Sequence, residues 1–167
     1  MKKVFFLLVM CQLFFLSCAS KPVFEGKADL CGLVIDENNA PVKDFIVYCK
    51  AADMKTWGNT PLITPVLTNE SGLFVFYGLS SGEYLLSGEK TNYLRITSTS
   101  YSFNDRTKII CLQTKSFKAS VLNAGEMLRL GQVAEAIAIL RGISCEHNSQ
   151  EEIFLKDYTA KLEEVAE

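Results

Sequence analysis

The sequence predicts a mainly β protein, a seven-stranded antiparallel sandwich followed by a short C-terminal segment of two or three helices. Two observations carry that class. From Leu30 to Gln113 the chain breaks into short β-rich runs divided by turn residues. Beyond about residue 119 the apolar spacing changes to the 3.6-residue period of helices. A third observation sets the size. Residues 1–17 read as an export signal, and the 150 residues that remain suit one domain with an appendage.

The elements follow in order. Leu30 to Ile35 alternates weakly and reads as the first strand. Asp36-Glu37-Asn38-Asn39-Ala40-Pro41 is a turn, because Asp and Asn bond their own backbone and Pro fixes φ. Phe45 to Lys50 is the second strand, and Ala51 to Pro61 a long loop holding the single tryptophan, Trp57. Leu62 to Thr68 is the third run, which Pro65 marks as an edge or irregular strand. Asn69-Glu70-Ser71-Gly72 turns into Leu73 to Tyr77, and Gly78 to Gly82 turns into Glu83 to Ser87. Tyr93 to Thr97 and Lys108 to Gln113 complete the seven. Gly72 and Gly82 are expected to supply positive φ in hairpin turns.

Three helices are expected after that, over Val121–Leu130, Val133–Ile143 and Ile153–Val165. Gly131 stands where a C-cap glycine belongs. Ser149-x-x-Glu152 resembles a capping box. Leu155, Tyr158, Leu162 and Val165 make one apolar stripe. Leu130-Gly131-Gln132-x-x-Glu135-Ala136-Ile137-x-x-Leu140 resembles the turn and second helix of a tetratricopeptide repeat, although Asn123 and Met127 depart from that pattern. A plain helical hairpin fits the same residues, since stacking takes three or more repeats.

The N-terminus is an address. Lys2 and Lys3 precede a thirteen-residue run, Val4 to Leu16, apolar except for Gln12. That run is too short for a bilayer span of roughly 20 residues, and its layout is that of a secretory signal. Phe15-Leu16-Ser17-Cys18 resembles the bacterial lipoprotein signal, with Phe15 where an aliphatic residue is commoner. The resemblance implies cleavage before Cys18, lipidation of Cys18 (palmitate among the chains) and a tether over residues 18–27. Ala19 stands where an Asp would resemble an inner-membrane retention signal, so the expected site is the outer membrane of a source that has one, facing periplasm or cell surface.

A second resemblance lies in the β region. Gly32-x-Val34-x-Asp36 and Pro41-Val42-x-Asp44-x-x-Val47 are followed by Thr68-Asn69-x-x-Gly72-x-Phe74-x-Phe76-x-x-Leu79-x-x-Gly82-x-Tyr84. Together they resemble the carboxypeptidase regulatory-like domain, which implies a transthyretin-like sandwich over residues 28–115 and leaves residues 116–167 as a helical appendage. Asp44 departs from that pattern, standing where Gly or a small residue is common. The alternation itself assigns structural roles: Phe74 and Phe76 share the core face, and the Tyr84 hydroxyl needs a partner if buried.

Composition narrows the function. Between Cys18 and Lys118 there are eleven Lys/Arg against ten Asp/Glu, and from Ala119 onward four against nine. No basic footprint marks a nucleic-acid binder. Cys31, Cys49, Cys111 and Cys145 show no C-x-x-C spacing, so neither zinc nor a redox motif is indicated. Their pairing stays open. Alternation puts Cys31 opposite Val34 and Cys49 with Val47, so inward valines would keep the two thiols apart. The single histidine, His147, lies in a polar turn, and neither a catalytic set nor a phosphate loop accompanies it. The expectation is a non-enzymatic, cofactor-free, membrane-anchored envelope protein whose sandwich and helices act structurally or bind a protein. The alternative is a glycan binder using loop aromatics Trp57, Tyr101 and Phe103.

Overall fold

The structure is a computed structural model that describes residues 24–52 and 63–166. Along the chain the described strands are β1 (Lys27–Ile35), β2 (Ile46–Ala51), β3 (Val66–Leu67), β4 (Leu73–Ser80), β5 (Gly82–Glu89), β6 (Tyr93–Leu94), β7 (Ile96–Phe103) and β8 (Ile110–Gln113). Helices α1 (Phe117–Arg129) and α2 (Val133–Gly142) follow, then the short β9 (Ile143–Ser144) and α3 (Gln150–Ala166).

Seven strands form two sheets, ordered β4-β1-β8 and β3-β2-β5-β7, and β6 pairs with β9 in a separate ribbon. The fold is therefore mainly β, a sandwich followed by three helices. One pairing departs from the antiparallel expectation: β8 runs parallel to β1, with Gly32 beside Ile110 and Ile35 beside Gln113. The cause is topological. β7 belongs to the other sheet, so the chain crosses the end of the sandwich before β8 joins the first sheet.

Alternation builds the core. Leu30 and Val34 of β1, Val47 and Cys49 of β2, Phe74 and Phe76 of β4, Tyr84 and Leu86 of β5 and Ile110 and Leu112 of β8 all point inward. Phe74 and Phe76 meet edge to face, with centroids 5.9 Å apart. The Tyr84 hydroxyl finds its partner, donating to the Ser80 carbonyl at 2.9 Å. Gly32 occupies an inward position because the Phe74 ring needs the space; a Cβ there would lie 2.1 Å from Phe74 Cζ. Val34 and Val47 are both fully buried, so Cys31 faces outward and Cys49 inward, as the alternation requires.

The turns show the expected chemistry with one correction. Asp36 Oδ1 accepts from the backbone N–H groups of Asn38 and Ala40, and Asn69 Oδ1 from those of Ser71 and Leu73. Gly72 has φ +71°, with a Cβ position only 2.5 Å from the Val34 carbonyl oxygen. Gly82 does not take positive φ; Gly78 does, at +66°. The expected hairpins are in fact corners. β4 and β5 lie in different sheets, so the chain changes layer at Ser81 rather than folding back on a neighbour. Asp44 has φ +51°, which explains why a Gly suits that position. Buried Thr68 clamps the segment before β2, accepting from Phe45 N–H and donating to the Val42 carbonyl.

The helices make a second core from Ala124, Ala136, Leu140, Ile143 and Leu155, with Tyr158 and Leu162 packed against it. The Val165 side chain lies outside the described residues. Gly131, at φ +76°, ends α1; its N–H donates to Leu128 and that of Gln132 to Met127, a Schellman arrangement. The capping box before α3 is offset. Ser149 Oγ accepts from Glu152 N–H as expected, but the Glu152 carboxylate reaches Asn148 N–H instead of Ser149.

Backbone and side-chain bonds tie the helices to the sandwich. Leu94 N–H donates to Lys115, Arg95 N–H to Gly142 and Phe117 N–H to Asn92. At the N-cap of α1, Ser116 donates both its N–H (2.9 Å) and its hydroxyl (2.6 Å) to the Glu37 carboxylate, which comes from the turn after β1. Partial desolvation opposes ionisation of Glu37, yet the two bonds from Ser116 hold its carboxyl below the ordinary value.

Candidate interaction surfaces

Of the residues singled out from the sequence, Cys18 and Trp57 lie outside the described residues. Tyr101 and Phe103 are not in a loop. Both belong to β7, where Tyr101 pairs with Tyr84 and Phe103 with Gly82. Phe103 is fully buried, edge-on to Phe24 at 5.0 Å and to Tyr84 at 6.4 Å, so its ring cannot stack on a sugar. The Tyr101 ring is half-buried under the Lys108 ammonium, 5.6 Å from its centroid. The Tyr101 hydroxyl is buried and has no partner among the described residues. Burial, and then the negative Asp105, push it above its usual pKa. The strand was hidden because Thr97-Ser98-Thr99-Ser100 has polar residues at consecutive positions, as a loop does. Its outward residues are polar because β7 is an edge strand with a solvated outer face.

The two sheets differ in what they turn outward. The outer face of the four-stranded sheet is mixed: its apolar residues are Leu67, Ile46 and Leu85, with Leu67 61% exposed beside Ile46. It carries Tyr48 and Lys50 on β2, Glu83, Ser87 and Glu89 on β5, and Ser100 and Ser102 on β7. There the Tyr48 hydroxyl donates to Glu89 at 2.9 Å. The three-stranded sheet turns apolar residues outward as well as inward. Val75 and Leu73 of β4 pair with Cys31 and Leu33 of β1, and Leu33 pairs with Cys111 of β8. Tyr77, Ile109 and Leu73 are 76%, 62% and 42% exposed, and Cys111 is exposed beside them. A sheet face normally shows polar residues to water, and contiguous exposed apolar residues mark an interaction site.

The helical unit holds an open cleft of about 380 Å³ between α2, β9 and α3, floored by Leu140, Ile143, Leu155 and Ala160. Two rim pairs are internal, Arg141 with Glu163 and Lys156 with Glu152 at 2.9 Å, and Arg95 pairs with Glu89, outside the cleft, at 3.4 Å. Cys145 lines the cleft, but burial first, then Glu151 and Glu152, push its thiol above the usual value against the pull of Arg95. That direction disfavours the thiolate, the nucleophilic form. Next to the cleft, α3 exposes Ile153 and Phe154, and Phe154 stacks on Tyr158 at 5.6 Å. Neutralised charges around an apolar floor suit binding better than bond-breaking. Among the described residues, no three His, Cys, Asp or Glu side chains are placed to hold a metal ion. None of the described helices is long and apolar enough to cross a membrane.

No family model matches the sequence, and no curated protein matches it. Among solved structures, it is similar to a streptococcal ancillary pilin at 15% identity and TM-score 0.46, covering 55% of this chain and 30% of that one. The group B streptococcus pilus 2b backbone protein gives 18% identity and TM-score 0.44, covering 53% of this chain and 41% of that one. The 3-chlorocatechol 1,2-dioxygenase of Rhodococcus opacus gives 10% identity and TM-score 0.39, covering 57% and 64%. The chain thus spans less than half the length of either pilin. Likenesses this distant decide neither activity nor partner.

Proposed function

We propose that this chain is an exported, lipid-anchored, non-enzymatic envelope protein in which Cys18 carries the anchor and the helical unit receives a protein partner. The observation that carries the reading is the pairing of an export signal ending on Ser17-Cys18 with a body that presents open apolar surfaces. The cleft supports a binding role, because Arg141 pairs with Glu163 and Lys156 with Glu152 around an apolar floor, and its thiol is shifted away from the thiolate. The regulatory-like resemblance is part of this proposal; Gly72, Phe74, Phe76 and Tyr84 of its motif have structural positions in the sandwich, while Gly82 lacks the expected positive φ. The division into a tether over 18–27, a sandwich over 28–115 and a helical appendage over 116–167 belongs to the same reading.

Cell fractionation tests the anchor. The wild-type chain is expected in the membrane pellet as a processed form, and Cys18→Ser either in the soluble fraction or as the longer precursor on a gel; a Cys18→Ser chain of wild-type size and wild-type distribution would refute it. Crosslinking in intact envelopes tests the partner. Phe154→Asp, at an exposed position, is expected to lose a crosslinked adduct that the wild type forms, and an identical adduct pattern would remove the helical unit from the proposal.

A further inference from the structure

We propose that the outer face of the β4-β1-β8 sheet rests on the lipid surface that holds the anchor, so that the anchored protein lies on the bilayer instead of standing on its tether. The proposal rests on the reading that Cys18 is lipidated.

Three observations select a lipid surface as the occupant. The first is the apolar grid itself: Leu73, Val75 and Tyr77 on β4, Cys31 and Leu33 on β1, Cys111 on β8 and Ile109 just before it. The opposite outer face carries Leu67, Ile46 and Leu85 but interrupts them with Lys50, Glu83, Glu89, Ser100 and Ser102. The second is the tether. Five residues lie between Cys18 and Phe24, a reach of at most about 20 Å, and the chain then enters β1, the middle strand of this same sheet. The third is size. Three strands about 4.8 Å apart and four or five residues deep cover on the order of 10 by 15 Å. A stable protein interface takes about 800 Å² per partner. This face is too small to recruit a free partner or a second copy. An anchor changes that requirement, because attachment supplies a high effective concentration and leaves the face only the work of orientation.

The charged groups at the tether end fit the same arrangement. Lys27 lies on the outward row of β1, where it can meet lipid phosphates. Asp29, two residues on, accepts from Gly78 N–H at 3.0 Å, so its carboxylate is partly satisfied by the sheet edge. The consequence is positional. β1 runs about 30 Å from the tether to the turn that holds the helical unit through Glu37. Lying flat keeps the cleft and the exposed face of α3 near the membrane surface.

Native thiols supply the test. The lipidated full chain is incorporated into phosphatidylethanolamine–phosphatidylglycerol vesicles and labelled with a bulky, membrane-impermeant maleimide. Peptide mass spectrometry then reads Cys111 on the face and Cys145 on the helical unit. The reference is full-length Cys18→Ser in solution. Cys111 is expected to label at least about tenfold more slowly on vesicles, the protection of a face seated nine-tenths of the time, with Cys145 little changed. Ile109→Glu, at an exposed position, is expected to restore the Cys111 rate without changing the melting temperature. An acylated chain whose Cys111 labels as fast on vesicles as in solution overturns this proposal alone. A Cys18 without acyl chains in the same mass spectra overturns the anchor reading and the proposal with it. Slow Cys111 labelling of Cys18→Ser in solution, with dimers in sedimentation, makes a second copy the occupant and also overturns it.

Discussion

Gly32→Ala should act as an overpacking mutation of the sandwich core, relieved by a change at Phe74. The added methyl would sit 2.1, 2.4 and 2.8 Å from Cζ, Cε1 and Cε2 of Phe74. Ordinary contact begins near 3.4 Å, so the ring must move by more than 1 Å. It has little room, being buried and edge-on to Phe76. Overpacking of this kind costs about 1–3 kcal/mol. Each kcal/mol lowers Tm by about 2–4 °C for a chain near 150 residues. The single mutant should therefore melt roughly 2–12 °C below wild type. Phe74→Leu removes the clashing ring atoms at its own cost in burial, so the double mutant should be more stable than the sum of the two losses. The expected coupling is at least about 1 kcal/mol, read from urea midpoints at constant m-value. Additivity within about 0.5 kcal/mol would show that the two sites do not touch, and the packing argument would fail.

Gly72→Ala combines positive φ with a close approach to the Val34 carbonyl oxygen and should cost about 1–3 kcal/mol in chemical denaturation; a neutral result would contradict the corner geometry. Tyr101→Phe removes a buried hydroxyl without a described partner, and since an unmet group costs about 1–3 kcal/mol, the variant should be no less stable than wild type. Clear destabilisation would mean the hydroxyl is bonded. Ser116→Ala should cost about 1–2 kcal/mol, because the hydroxyl caps α1 through Ala119 N–H and also holds Glu37. The pH dependence of that link follows from Glu37, whose folded value lies below the ordinary 4.5. Its contribution is present above the unfolded value and is lost as pH falls through the lowered folded value. Glu37→Gln should therefore flatten the acid side of the stability curve; a superimposable acid limb would show that the Glu37–Ser116 bonds contribute nothing.

Much of the fold was legible because local chemistry and tertiary placement agree. Asp36, Asn69 and Gly72 carry turn chemistry that needs no distant partner. Phe74 and Phe76 alternate, and the helical stripe of Leu155, Tyr158 and Leu162 reports its own face. What stayed hidden depends on neighbours. The length of β7 was obscured by consecutive Ser and Thr at an edge whose outer side is wet. Gly82 was misread because turn residues show that the chain bends but not which sheet it bends toward. The parallel pairing of β8 depends on that same change of layer. The apolar outer face left an ambiguous mark in the sequence. Leu30 to Ile35, Leu73 to Tyr77 and Ile109 to Leu112 are near-continuous apolar runs, as strands apolar on both sides are. Phe45 to Cys49, which enters the other sheet, reads the same way, so run composition did not show which sheet turns apolar residues outward.

Intact-mass analysis of the protein extracted from the membranes of an expressing bacterium tests the anchor most directly. The account predicts that the mature chain begins at Cys18 and carries the added mass of two or three acyl chains. A chain beginning elsewhere, or an unmodified Cys18, would contradict it.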